Sequence, residues 1–68
     1  MKTYEVEYKN HEADQVNRVH VYAKNKREAY DKVVYGVFKG FVYSAWVSSV
    51  EYSNGRVQTF NNFEGNPY

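Results

Sequence analysis

The chain has no cysteine, no leucine and no isoleucine, and only one proline and one tryptophan among 68 residues. Without cysteine, neither a disulfide nor a thiolate metal site can staple the fold. Nothing marks an oxidising compartment, so a cytoplasmic home is the expectation. Without leucine or isoleucine, the core has to come from valine, alanine and aromatic rings. Valine is stiff at χ1 and suits a pleated surface, and rings bring large area per residue, so sheet should dominate. Long hydrophobic runs are missing too. The opening MKTYEVEYKN is charged and alternating, which fits neither a signal peptide nor a membrane span, and no membrane partner is expected. Excess charge of either sign is absent: nine basic and eight acidic residues leave a net +1. That balance argues against an acidic nucleic-acid mimic and against a strong electrostatic grip on phosphate.

What the chain does hold is aromatic: 19% of it, with eight tyrosines. Its length suits one small domain over residues 1–68, without repeats or linkers. A single core of this size supplies about 3–5 kcal/mol. Residues 3–9, TYEVEYK, alternate cleanly, with Tyr4, Val6 and Tyr8 on one face and Thr3, Glu5, Glu7 and Lys9 on the other. After the polar turn NHEADQ, the stretch VNRVHVYA alternates again, with Val19, Val21 and Ala23 opposite Arg18, His20 and Tyr22. The two strands should form a hairpin. Asn25 followed by Glu28 has capping-box spacing and predicts a helix start. Ala29, Tyr30, Val33, Val34, Val37 and Phe38 then form one apolar stripe, with Lys32, Tyr35 and Lys39 on the far side. Gly40 is the natural residue to end this helix, and Gly36 inside it suggests close approach to a neighbour.

Asn54-Gly55 between FVYSAWVSSVEY and RVQTFNNF predicts a second hairpin. A two-residue turn would pair Ser53 with Arg56, Tyr52 with Val57 and Val50 with Thr59, and bring Trp46 near Phe63 beneath the helix. Tyr43, Val47 and Phe60 would then face outward. The expected fold is therefore α+β: a four-stranded antiparallel sheet, β-β-α-β-β, with one helix on one face. The tail EGNPY has no period, and Tyr68 can order only by finding an edge to pack on.

Chemistry-bearing motifs are few. KGFVYSAW, residues 39–46, places Lys39, Gly40, Phe41, Tyr43 and Trp46 on five positions of the RNP1 pattern of RNA-recognition domains. It follows the only predicted helix instead of filling the third strand of a βαββαβ chain. Lys39 and Gly40 already serve as a helix C-terminus, so a structural reading of the string is preferred. His11 and His20 have no metal-ligand spacing around them and read as surface residues. The serines at 44, 48, 49 and 53 have no base at a suggestive spacing. Neither a metal, a cofactor nor an enzymatic reaction is expected. Lys24, Lys26 and Arg27 read as a solvated face at a helix start.

The remaining signal is exposed ring surface. Tyr22, Tyr43 and Phe60 beside Arg18, His20 and Val47 on the uncovered sheet face, and Tyr35 on the helix, leave more apolar area in water than a small monomer tolerates. The reading is a non-enzymatic protein-interaction module, self-associating as a dimer or binding another protein through this face or through a strand edge. The alternative is a weak single-strand nucleic-acid binder using the same face, which Glu5, Glu7 and Glu51 oppose.

The strand KTYEVEYK, the strand VHVYA and the helix NKREAYDKV together resemble small β-β-α proteins of phages and conjugative elements of Gram-positive bacteria. In those an alternating Tyr/Val strand pair leads into an Asn- or Ser-capped helix. The resemblance implies an accessory protein of a mobile element and carries over no catalytic residues. The C-terminal hairpin departs from it.

Overall fold

The computed structural model describes residues 1–10, 15–37, 42–61 and 68, without the side chains of Val37 and Tyr43. Strands β1 (Lys2–Asn10), β2 (Val16–Ala23), β3 (Val42–Glu51) and β4 (Val57–Thr59) form one antiparallel sheet in the order β2-β1-β3-β4. Among the described residues a single α-helix, α1 (Lys26–Lys32), touches β1, β2 and β3 from one side. The fold is the expected α+β arrangement. No helix among the described residues is long and apolar enough to cross a membrane.

The first hairpin follows the alternation. β1 and β2 pair without interruption from Lys2 opposite Ala23 to Lys9 opposite Val16. Tyr4, Val6 and Ala23 are buried, and Tyr8, Val19 and Val21 pack at the rim of the same core. The helix starts where the capping signal lies: Glu28 N donates to Asn25 Oδ1 at 2.9 Å, and Lys24 N donates to Glu28 Oε1 at 3.2 Å. Each side chain thus satisfies a backbone N–H that the first turn leaves free. Ala29 and Val33 are buried and Tyr30 and Val34 flank them, while Lys32 and Tyr35 point to solvent, as the apolar stripe requires.

The helix ends sooner than expected. Beyond Lys32 the chain widens into a five-residue π turn, Val33–Val37, in which Gly36 has φ −99° and ψ −118°, outside the helical well. Beyond its own helical turn, no heavy atom of the described residues lies within 4 Å of where a Gly36 Cβ would sit, so no close approach to a described neighbour calls for it. It interrupts the helical ladder instead. Phe38, Lys39, Gly40 and Phe41, and with them the proposed Gly40 terminus and half of the RNP1-like string, lie outside the described residues.

The larger correction concerns β3. Its pairing with β1 shifts between Glu5 opposite Ser49 and Val6 opposite Val47, so Ser48 is an extra residue, a β-bulge. Before the bulge Ala45 and Val47 point into the core; after it Val50 does. Unbroken alternation had placed Val47 outward and Trp46 inward, but Val47 is wholly buried and Trp46 lies opposite Glu7 on the uncovered face. The valine fits beneath the helix without a polar atom to satisfy, whereas the indole N–H needs an acceptor that the core does not supply.

The second hairpin forms at Asn54-Gly55 but in a different register. Ser49 pairs with Thr59, Val50 with Gln58 and Glu51 with Val57, one residue away from the two-residue turn. Gly55 N donates to Tyr52 O at 2.9 Å and Tyr52 N donates to Arg56 O at 2.8 Å. Among the described residues only Gly55 has positive φ, at 88°. This is a type I turn followed by a left-handed glycine, a three-residue loop. The slip moves Phe60 from the open face to the helix side, where it packs against the core rim. Phe63 lies outside the described residues.

The turn gives a direct test. Gly55→Ala should lower stability by about 1–2 kcal/mol through the backbone alone, since open space surrounds the site. Asn54→Gly should bring no gain, because Asn54 does not use positive φ and its Oδ1 accepts from Arg56 N at 3.0 Å. Thermal unfolding of both variants checks this. A stabilised Asn54→Gly protein would speak for the two-residue turn.

Candidate interaction surface

The sheet has one covered and one uncovered face, and the uncovered face is organised in rows across the strands. Register places Glu7 of β1 between Arg18 of β2 and Trp46 of β3. Arg18 Nε donates to Glu7 Oε1 at 3.0 Å and Trp46 Nε1 donates to Glu7 Oε2 at 2.9 Å. Glu5 holds the adjacent row: Ser48 Oγ donates to its Oε1 at 2.7 Å, and His20 Nε2 lies 3.4 Å from its Oε2. Each central carboxylate is thus flanked by a basic side chain from β2 and a donor from β3. Glu7 and Glu5 side chains are 19% and 25% exposed against 63% and 66% for Arg18 and His20, so the carboxylates sit low and the basic groups stand proud along the edge strand.

This arrangement does not make a catalytic relay. In the Ser48–Glu5–His20 row the carboxylate is the middle member, so hydroxyl and imidazole address the same acceptor and no base faces the serine. Among the described residues no three His, Cys, Asp or Glu side chains are grouped to hold a metal ion.

Of the residues that sequence reasoning singled out, Arg18, His20 and Tyr22 share the uncovered face of β2, with Tyr22 60% exposed. Val47 does not belong there, being core. Phe60 lies on the opposite side of the sheet, with the Lys26 ammonium 3.6 Å from its ring centroid. Tyr35, 67% exposed, is on the outer face of the helical segment, away from all of these. The Tyr43 side chain lies outside the described residues. Trp46, Glu5, Glu7 and Ser48 were not assigned to the site. The alternation of β1 already put Glu5 and Glu7 opposite the basic residues of β2, and a lone indole in a valine-rich strand pair needs an acceptor.

Two hollows flank these elements. A groove of about 440 Å³ follows the outer side of the helix past Arg27, Asp31, Lys32 and Tyr35. Its charges are mutually engaged, Arg27 with Asp31 at 3.9 Å and Lys32 with Glu28 at 3.6 Å. A notch of about 250 Å³ at the end of the sheet lies between Lys2, Tyr22, Glu51 and Tyr52, and the Lys2 ammonium there is 5.7 Å from the Tyr52 ring centroid and 5.9 Å from that of Tyr4. Neither hollow converges polar groups on one point. Tyr68 finds a place on the helix, its ring 5.5 Å from that of Tyr30 in an edge-on contact.

No protein-family model matches the chain, and no curated protein or solved structure matches it. Function is therefore to be read from the geometry.

Trp46 is the single tryptophan, so its emission reports on the Glu7 row alone. Glu7→Ala should red-shift that emission as water replaces the carboxylate at the indole N–H, while Glu5→Ala should leave it nearly unchanged. Equal shifts in the two variants would mean that the rows are not separate.

Burial, and then the neighbouring Tyr35, Tyr68 and Asp31, raise the Tyr30 pKa above the ordinary tyrosine value. The unfolded chain gives up this proton first, so the stability involved is complete below about pH 10 and is lost as pH rises through the folded-state value. Tyr30→Phe should flatten the alkaline limb of a stability–pH curve measured by denaturant unfolding. A limb of unchanged slope would assign it to other groups.

Proposed function

We propose that this chain is a non-enzymatic protein-interaction module that works through β2, by its backbone edge and the side chains standing beside it. The observation that carries this reading is the strand order β2-β1-β3-β4, which leaves an eight-residue strand at one end of the sheet. β2 has no proline and no bulge in its pairing with β1, two of the devices by which sheets blunt an edge. Val16 and Tyr22 on it are 40% and 60% exposed, and Tyr22 is of a residue type enriched at protein contacts. An extended segment laid along this edge would find main-chain hydrogen bonds and alternate side chains to read.

Single-strand nucleic-acid binding is the weaker reading. It needs cations free to meet phosphates and rings free to stack on bases. Arg18 is held by Glu7, His20 stands beside Glu5, and Phe60 is on the helix side.

Affinity capture from extracts of the encoding cell, comparing the parent with edge variants, tests the proposal. Val16→Asp and Tyr22→Asp should each reduce bound protein at least tenfold, while Tyr35→Asp on the helix should not. Capture that ignores both edge substitutions would overturn the reading. So would bound material that proves to be nucleic acid and washes off between about 50 and 200 mM salt.

A further inference from the structure

We infer that the partner for β2 is a second copy of this chain, paired antiparallel across a two-fold axis through His20 to make a continuous eight-stranded sheet. This rests on the edge-binding reading above and names its occupant. A two-fold axis perpendicular to the sheet keeps both helices on one side and places one residue of β2 opposite itself, so the register is fixed by which residue that is.

Charge and length select among the few choices. Centred on Arg18, two guanidinium groups meet at the axis. Centred on Val19, each Arg18 stands opposite a His20 and each Tyr22 opposite a Val16, so guanidinium and ring are not paired. Centred on Val21, Arg18 faces Lys24 of the other copy and the pairing shrinks to residues 19–23 of the strand. Centred on His20, residues 17–23 all pair within β2. Like charges directly opposite destabilise a strand pair, whereas two imidazoles can meet in neutral form and two guanidinium groups cannot.

The His20 register also makes positive contacts. Arg18 stands opposite Tyr22 of the other copy, twice, a cation beside a ring that is otherwise in water. Glu7 already holds Arg18 through its Nε, so each row would run Tyr22, Arg18, Glu7, Trp46 across the junction. On the helix side Val19 meets Val21 of the other copy, twice, and these half-buried valines at the rim of the core gain a neighbour. The Lys32 ammonium bonds Tyr22 O, near one end of β2. If that oxygen points outward, the lysine would have to turn aside for the main chain of the other copy to use it.

The absence of cysteine makes a direct test possible. Single-cysteine variants at His20 and at Val16 are oxidised mildly at pH 8, and the parent and His20→Lys are followed by sedimentation over a wide concentration range. His20 is exposed, so these substitutions leave the fold in place, which far-ultraviolet circular dichroism checks. His20→Cys should form a disulfide-linked dimer readily, since directly opposite Cα atoms lie within disulfide reach. Val16→Cys should not, being far from its own counterpart in this register. The parent should dimerise, and His20→Lys should weaken the dimer at least tenfold.

Val16→Cys crosslinking as fast as His20→Cys, or a dimer that survives His20→Lys unchanged, would overturn the pairing. A strictly monomeric parent would overturn it as well. If such a monomer still loses captured protein through Val16→Asp or Tyr22→Asp, only the second-copy assignment falls. If its captured protein ignores those variants, the edge reading falls with it.

Discussion

The extra residue at Ser48 is the constraint on which the two faces of this sheet depend. β3 must place Ala45, Val47 and Val50 beneath the helix, a set that no unbroken period of two can deliver. Continued from Val47, the alternation would bring Ser49 and Glu51 inward and send Val50 to solvent, and an unpartnered buried carboxylate costs several kcal/mol. The bulge changes parity where two serines adjoin, Ser48 and Ser49, short enough to stand together opposite Glu5. Ser48 then serves the other face as well, its hydroxyl donating to the Glu5 carboxylate. One inserted residue thus keeps the core apolar and completes a polar row on the reverse side.

That division explains how a core without leucine or isoleucine suffices. Its largest fully buried side chains are Val6, Val33, Val47 and Val50, and each contributes about 1.5–3 kcal/mol on burial. Ala23, Ala29 and Ala45 are buried among them, and small residues let a helix lie close on a sheet. A tryptophan in this layer would force the helix away and leave its N–H without an acceptor. On the uncovered face the same indole lies over the pleated surface with Glu7 as its partner.

The parts of the fold legible in the sequence are those governed by one uninterrupted period. β1 and β2 alternate along their whole pairing, and the Asn25 cap and the stripe from Ala29 to Val34 are local patterns that the structure reproduces. Residues 42–60 obey local events that a period cannot reveal, among them a second register shift between Ser44 and Val42. The bulge at Ser48 shifts one half of β3 against the other, and the loop uses three residues where Asn-Gly suggested two. Side chains alternate strictly, so a single slip exchanges faces, and Val47, Trp46 and Phe60 were all exchanged. Arg18, His20 and Tyr22 survived because they ride on the strand pair that has no slip. The outward wall of Glu5 and Glu7 was legible too, but their part in holding Trp46 was not, since it depends on the pairing of β1 with β3 across about 40 residues of chain.

The two edges of the sheet are treated unequally, and the inequality bears on what the molecule does. β4 is three residues long and wholly exposed, too short to template another strand. β2 is eight residues long with straight pairing, and the Lys32 ammonium bonds Tyr22 O near its end. A lysine near an edge usually serves to discourage pairing, but a flexible side chain turns aside at small cost where a proline or a bulge could not. A core of valine, alanine and Tyr4 in a chain of this size leaves little stability in reserve, and anything that binds the folded state alone adds to it by mass action. A strand laid along β2 would deepen the burial of Val19 and Val21 at the rim, so association and stability would rise together with concentration, in a way that a sheet with two blunted edges could not achieve.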